Sequence, residues 1–328
     1  MQSNAVSAMP FSMRVSSFVK RSPARMAVII SILIYGFTVL MVPTALNMNA
    51  ISSIVMLTML LSFASAAQTI VLIGGGLDFT VGAVMSTAAI ITTSVMDSQD
   101  GMFFPAFVAV MCMAVAIGLL NGLCTVKIGL PALIVTMAIA NVLTRFQYVF
   151  TAGSPPGYAG PAFISSVTGR LFTHIPSLTL YALIIIPLVF YILNRARFGR
   201  QLYLVGNNAE AARLSGINVN KVKMMSYVIS AMFAGFTGML GAGYMQLARC
   251  QMFDGYAYNS LIAVIVGGTA FSGGIGTYQG SIAGALLMVV LTNMLTALNL
   301  SQPVRNIVMG VILVLLLLLY NRKKPVRQ

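Results

Sequence analysis

Side chains that could do chemistry are scarce in this chain. Its 328 residues include five acids, one histidine and three cysteines. Cys112 and Cys124 lie in one apolar run and Cys250 stands alone, so no pair of cysteines has metal-ligand spacing. The single histidine, His174, has no carboxylate near it in the sequence, and we interpret it as a solvated loop residue. We therefore expect neither a catalytic residue nor a metal site.

The same inventory limits the energy source. None of the six lysines follows a glycine, so the Gly-x-x-x-x-Gly-Lys-Ser/Thr loop that holds ATP phosphates is absent. Asp78 is the only acid near an apolar segment on the inner side, which leaves too few ionisable groups for a proton relay. Sodium coupling through carbonyl and hydroxyl oxygens stays open. We expect no cofactor on this chain, and if ATP drives it, ATP and Mg bind to a partner subunit.

The composition indicates a membrane protein. Hydrophobic residues make up 59% of the chain and charged residues 7%, whereas a soluble domain needs about a quarter charged residues to cover its surface. The net charge of +14 comes from basic residues at the ends of apolar runs, so it predicts membrane topology rather than nucleic-acid binding. We expect an all-α polytopic fold with about ten transmembrane helices, some short or interrupted by glycine. The apolar segments are 26–43, 50–73, 80–96, 103–126, 130–150, 177–194, 224–247, 259–272, 277–298 and 304–320.

The positions of the basic residues predict the topology. Fifteen of the 19 basic residues fall on one side if ten helices alternate across the membrane. That side carries the N-terminal tail 1–25, the polar segment 195–223 and the basic tail 321–328, and the positive-inside rule makes it cytoplasmic. The membrane domain is then 26–320. The external segment 151–176 is rich in proline and glycine, and it is a cap over the outer mouth, a docking platform or a simple connector.

The polar segment 195–223, called the basic segment below, carries six basic residues against one acid, Glu210. At about 3 kcal/mol for each charge at mid-bilayer, it cannot lie in hydrocarbon. Asn207 or Asn208 can cap a short helix here, and Gly216 can end it. Glu210 stands three residues after Asn207, as a capping box requires. The pattern predicts an exposed helix of about eight residues, which is marginal alone and makes sense if it packs into another protein.

Glycine-rich breaks interrupt two apolar stretches, at 74–76 and at 267–276. Irregular backbone at membrane depth is tolerated where it is buried in protein or lines a cavity, so both breaks are candidates for a translocation path or gate. Close helix packing is the equal alternative. Amides inside apolar helices are further candidates, although a buried amide more often joins two helices. The candidate path or gate residues are Gln68, Gly75, Gly76, Asp78, Phe79, Asn121, Asn141, Gly267, Gly268, Gly273, Gly274 and Asn293.

Four motifs stand out: GGLDFTVG at 75–82, LPALIVTM at 130–137, GNNAEAARLSGINV at 206–219 and GGTAFSGGIGTYQGSIAGAL at 267–286. They resemble motifs of the membrane permeases of ribose-type ABC sugar importers, a family related to the branched-chain amino acid permeases. The last two are long and specific. The chain departs from the family at 256–259, where Tyr-Ala-Tyr-Asn replaces Tyr-Glu-Leu-Asp and both acids are lost.

The resemblance implies a coupling helix in the basic segment that docks into a cytoplasmic ABC ATPase. The residues that would carry this contact are Asn208, Glu210, Ala211, Arg213, Leu214 and Gly216. It also implies a periplasmic sugar-binding protein, a pentose or hexose as substrate, a bacterial inner-membrane location, and a second permease chain. The lost acids leave open whether that second chain is identical or different. An amino acid substrate and a self-sufficient secondary transporter or channel are the alternative interpretations.

Overall fold

A computed structural model of the chain describes residues 23–171 and 175–321, and it confirms the all-α prediction. The helices are α1 Pro23–Met41, α2 Met48–Ile73, α3 Val81–Met96, α4 Phe103–Gly122, α5 Ala132–Thr151, α6 Pro161–Thr168, α7 Leu178–Asn194, α8 Arg197–Asn207, α9 Ala209–Leu214, α10 Val219–Met245, α11 Gly255–Val266, α12 Tyr278–Ala297 and α13 Gln302–Asn321. Two-residue strands, β1 Arg170–Leu171 and β2 Ile175–Pro176, pair antiparallel. Most of the two predicted tails, and His174, lie outside the described residues.

The prediction of about ten spanning helices is not confirmed. Each predicted apolar segment contains a helix, but six helices in the described ranges are long and apolar enough to cross a membrane. A seventh results if α7 and α8, bent by 59° from each other, are counted as one span. Helices α3 and α11 have only 16 and 12 residues, and 12 residues reach about 18 Å against the roughly 30 Å of hydrocarbon. The glycine-rich breaks are what cut these two helices short.

Local capping explains where several helices begin. Asn47 accepts a hydrogen bond from Asn49 N at 3.2 Å and starts α2. Asn218 accepts from Lys221 N at 3.0 Å and starts α10. Thr277 accepts from Gly280 N at 3.2 Å and starts α12. Each cap satisfies one of the free N–H groups of a helix end, so the chain positions these elements with short polar residues.

Helices α2 and α10 form the centre of the bundle. Helix α10 packs against α2, α3 and α4, and α12 packs against α1, α2 and α11. Close approach depends on glycine, because a Cβ on Gly238 of α10 would overlap the backbone of Met85 in α3. Large apolar side chains on α1, α5 and α7 point outward, as expected for helices that face lipid or another chain.

The segment 151–176 packs onto the bundle more than its composition predicts. The side chains of Phe163 and Val167 are buried in the main apolar core. Asp100 Oδ1 accepts a hydrogen bond from Ala162 N at 2.9 Å, and Ala159 N donates to the backbone oxygen of Gln246 at 3.1 Å. Helix α6 therefore shares the apolar core of the helices that it packs against.

Candidate functional site

The basic segment contains two helices, one of which the sequence interpretation missed. Helix α8, Arg197–Asn207, buries Leu202 and Val205 against the bundle. Phe198, Leu202 and Val205 stand at positions i, i+4 and i+7, the spacing of one helix face. That spacing was the available signal.

Helix α9, Ala209–Leu214, is the predicted capped helix, and its cap is Asn208. The Asn208 side-chain oxygen accepts from Glu210 N and Ala211 N, each at 3.0 Å. The predicted capping box with Asn207 is wrong, because Asn207 ends α8 and Glu210 is then the second helical residue. The Glu210 carboxylate lies 3.9 Å from Arg213 Nη1, and both side chains are exposed. An exposed ion pair of this kind adds little to the stability of the fold, so its two side chains can contact a partner protein instead of each other.

The outer face of α9 combines charge with one large apolar side chain. Ala212 is buried against the bundle, whereas Leu214 is 82% exposed. Gly216, with φ of +80°, ends the turn that leads into α10. Ala212 therefore anchors the helix to the bundle, while Glu210, Arg213 and Leu214 are exposed on its other side.

The first break, residues 74–80, is organised by the buried carboxylate of Asp78. Its Oδ1 accepts from the backbone N–H of Thr80 at 2.9 Å and from the Thr80 hydroxyl, and its Oδ2 accepts from Ser230 Oγ at 2.8 Å. The backbone oxygen of Asp78 accepts from Gln68 Nε2 at 2.6 Å. Asn121 Nδ2 donates to Thr80 Oγ1 at 3.0 Å. A buried carboxylate requires such donors, so this network ties the break to α2, α4 and α10.

The second break, residues 267–277, is held mainly by close backbone contacts. A Cβ on Gly267 would overlap the backbone of Gly280, and a Cβ on Gly274 would lie 2.7 Å from the Cα of Asn207. Gly273 and Gly274 have φ of +86° and +75°, which favours glycine. Side chains larger than hydrogen have no room at these positions.

The two breaks meet at the end of the bundle that carries the basic segment. A Cβ on Gly273 would lie 2.8 Å from the Cα of Gly75, and Gly274 N donates to the backbone oxygen of Ile73 at 2.9 Å. Gly206, in the last turn of α8, lies against Ile73 and Gly274. A Cβ there would overlap the Ile73 oxygen and lie 2.6 Å from Gly274 N. We call this contact of Ile73, Gly75, Gly206, Gly273 and Gly274 the glycine junction.

The basic segment has further contacts with each break. The Tyr203 hydroxyl of α8 donates to the backbone oxygen of Gly276 at 2.8 Å. A cavity of about 300 Å³ beside Gly75 is also lined by Ala209 and Arg213 of α9. Helix α8 therefore contacts the second break, and α9 shares a cavity with the first.

The predicted path residues fall in three places. Asp78 and Asn121 share the hydrogen-bond network of the first break. Phe79 and Asn141 line one cavity of about 150 Å³. Asn293 lies beside a separate cavity of about 430 Å³ at the far end of α12. The structure thus brings Phe79 and Asn141 together and keeps Asn293 apart from both.

Three residues of these sites were not predicted from the sequence. Thr80 stands two residues after Asp78, the spacing of an Asx turn, and that signal could have found it. Ser230 and Tyr203 carry no local signal, because their partners lie far away in the sequence; Ser230 is 152 residues from Asp78.

A bundle of apolar helices with two broken segments that meet beneath an exposed helix defines a membrane transport protein as its class. The family described as "Branched-chain amino acid transport system / permease component" matches residues 50–317. The chain belongs to this family of multi-pass membrane permeases.

Curated relatives agree with this assignment over most of the chain. The chain is 28% identical over 285 residues to the ribose import permease protein of Escherichia coli K12, which covers 86% of the chain and 88% of that protein. It is 29% identical over 316 residues to the galactose/methyl galactoside import permease protein of Haemophilus influenzae, covering 89% and 94%. The ribose import permease protein of Bacillus subtilis is 28% identical over 259 residues, covering 78% and 80%. The comparison with solved structures gives no match.

Proposed function

We propose that this chain is the membrane-spanning permease subunit of an ATP-driven, binding-protein-dependent importer that moves a monosaccharide across a bacterial inner membrane. The observation that carries the proposal is the position of α9. This exposed, capped helix lies next to α8, whose Gly206 contacts Ile73 at the end of α2 and Gly274 of the second break. Similarity to ribose and galactose permeases supports a sugar as the substrate.

The chain has a mechanical route from a partner to its membrane part. An ATPase that docks on Glu210, Arg213 and Leu214 would move α9 together with α8, because Asn208 joins the two helices without a linker. Gly206 would then press on or release Ile73 of α2 and Gly274 of the second break. Both breaks change together in this scheme, which is what alternating access requires.

The remaining partners and the orientation follow from the same proposal. The basic end of the bundle faces the cytoplasm by the positive-inside rule, and both chain ends lie there. ATP and Mg bind to the ATPase and no cofactor binds to this chain. A periplasmic sugar-binding protein delivers the substrate at the opposite end, and a second permease chain, identical or different, completes the path.

Reconstitution into proteoliposomes tests the proposal. The chain is combined with its ATPase and binding protein, and uptake of labelled D-ribose, D-galactose and L-leucine is measured with and without ATP. We expect ATP-dependent uptake of a sugar, and none when the ATPase is omitted. Sugar flux through the chain alone would establish a secondary transporter or channel instead, and ATP-dependent uptake of leucine without either sugar would establish an amino acid permease.

Charge reversal on α9 tests the docking assignment separately. Glu210→Lys and Arg213→Glu should lower ATPase binding and sugar uptake while the membrane part stays folded, because both side chains are exposed. Arg249→Glu is the matched control, since Arg249 is exposed in the connection between α10 and α11 at the other end of the bundle. Unchanged ATPase binding in both α9 variants would remove the docking role from α9.

A further inference from the structure

The cavity beside Phe79 is formed by three separate parts of the chain. Phe79 belongs to the end of the first break, Asn141 and Thr144 to helix α5, and Gln251, Asp254 and Tyr258 to the chain around the start of α11. The cavity volume is about 150 Å³. That is room for roughly five to ten water molecules, the space of one small sugar ring.

Two of its walls are held rigidly against each other. The backbone N–H of Phe253 donates to Ser86 Oγ of α3 at 2.9 Å. A Cβ on Gly82 would lie 2.6 Å from the backbone oxygen of Phe253, so the chain before α11 touches the first turn of α3 directly. These contacts fix Asp254 and Tyr258 relative to Phe79.

An aromatic pair covers one side of the cavity. The ring centroids of Phe79 and Tyr258 are 5.5 Å apart, with an angle of 68° between the rings. About half of the Tyr258 surface is exposed. Aromatic rings in this edge-to-face arrangement offer an apolar surface on which the C–H face of a sugar ring can pack.

Polar groups on the other sides suit hydroxyl groups. Asp254 is one of the residues that line the cavity, and a carboxylate accepts hydrogen bonds from hydroxyl groups. Asn141 and Gln251 add amide donors and acceptors.

The charge of the lining disfavours anions and accepts a neutral sugar. Asp254 is the only acid among the lining residues in the described part of the chain, and none of them is basic. An anion would therefore meet the Asp254 carboxylate, and the carboxylate of an amino acid would find no cation in the lining, although its ammonium group could pair with Asp254. A neutral polyol brings only hydroxyl groups, which can donate to the Asp254 oxygen.

We propose that this cavity is a binding subsite for the monosaccharide during its passage, with the sugar ring packed on Phe79 and Tyr258 and its hydroxyl groups bonded to Asp254, Asn141 and Gln251. The subsite rests on the proposed import function and adds where within the membrane domain the chain contacts its substrate. It also gives Phe79 and Asn141 a shared role that their separation in the sequence does not reveal.

The test uses the reconstituted complex and measures labelled D-ribose and D-galactose moved per ATP hydrolysed. Tyr258→Ala and Asp254→Ala should lower this ratio about tenfold, the effect of roughly 1.4 kcal/mol, while ATPase stimulation by the loaded binding protein is unchanged. Tyr258→Phe keeps the ring and should stay within about twofold of the unchanged chain. Val142→Ala is the matched control on α5, because Val142 adjoins Asn141 but lies outside the cavity lining.

The outcomes separate this subsite from the import function itself. If the unchanged complex moves neither sugar with ATP, the import function and the subsite both fail. If it moves sugar and the two alanine variants keep the normal ratio of sugar to ATP, only the subsite fails. Should an alanine variant not assemble, Asp254→Leu decides, because it keeps roughly the size of the side chain and removes both oxygens that could accept from a hydroxyl group; an unchanged ratio in that variant would overturn the subsite.

Discussion

The two breaks are both rich in glycine, but different interactions fix their conformations: side-chain hydrogen bonds in the first and close backbone contacts in the second. The first break depends on the Asp78 carboxylate and the hydroxyl donors of Thr80 and Ser230. The second break depends on absent side chains, since its glycines approach the backbone of Gly280 and Asn207 more closely than a methyl group allows.

Because their contacts differ, we expect the two breaks to respond differently when a neighbouring helix shifts. Hydrogen bonds of hydroxyl groups can rotate and exchange partners, so the first break can change its bonding stepwise. Backbone atoms in direct contact cannot exchange partners by rotating a side chain. We therefore expect the second break to lose its contacts with the neighbouring helices together. Gly206 of α8 lies against Ile73, the residue that precedes the first break, and against Gly274 of the second.

Gly206→Ala should have the largest effect, because it disrupts the contact that both breaks share. The new methyl group would overlap the Ile73 oxygen and crowd Gly274 N, which are backbone atoms that cannot rotate away. We expect a loss of more than about 3 kcal/mol of unfolding free energy or a displaced α8, with sugar uptake abolished. Thermal unfolding and uptake measure the two results. Gly36→Ala in α1, where no atom lies within 4 Å of the new Cβ, should leave both unchanged.

Asp78→Ala tests the polar side of the comparison. It removes the acceptor of Thr80 and Ser230, leaving buried donors without partners, at a cost of about 1–3 kcal/mol for each. Asp78→Asn keeps an acceptor for Thr80 and offers an N–H group to the Ser230 oxygen, so it should cost only about 1 kcal/mol. Denaturation of the purified chain compares them. Equal losses in the two variants would mean that the charge, not the hydrogen bonding, holds the first break.

Gly274→Ala and Gly75→Ala test the backbone side of the comparison. Both glycines have positive φ, +75° and +76°, so alanine costs about 1–2 kcal/mol at either position. Only Gly274 also lies against Asn207, with its new Cβ 2.7 Å from Cα, whereas the nearest atom at Gly75 is 3.9 Å away. We expect Gly274→Ala to lose about 1–3 kcal/mol more than Gly75→Ala in unfolding experiments. Similar losses would contradict the steric account of the second break.

Tyr203→Phe should have the smallest effect. It removes one hydrogen bond, from the Tyr203 hydroxyl to the Gly276 oxygen, and keeps the ring. We expect a loss of about 0.5–1.5 kcal/mol and a modest fall in sugar moved per ATP. Tyr191→Phe in α7 is the control, since Tyr191 is 62% exposed. If Tyr203→Phe behaves like this control, the hydroxyl contributes nothing to the link between α8 and the second break.

Much of the fold and part of the site could be predicted from the amino-acid sequence. The near absence of charge required a helical membrane protein, and the break positions were visible as glycine runs. The capped helix α9 was visible from Asn208 and Gly216, because capping depends on neighbours a few residues away. The sequence did not show whether Asn207 or Asn208 is the cap, because that depends on where α8 ends.

What the sequence by itself determined is therefore local: an all-α membrane protein, two backbone breaks, and a short helix outside the membrane. Tertiary structure alone decided that the breaks meet at Gly75 and Gly273, that Gly206 lies against Ile73 and Gly274, and that Tyr258 joins Phe79 and Asn141 around one cavity. The physical reason is the distance along the chain over which each interaction acts. Capping, glycine conformation and hydropathy act within a few residues, whereas contact between segments far apart in the chain follows from how all the helices pack together.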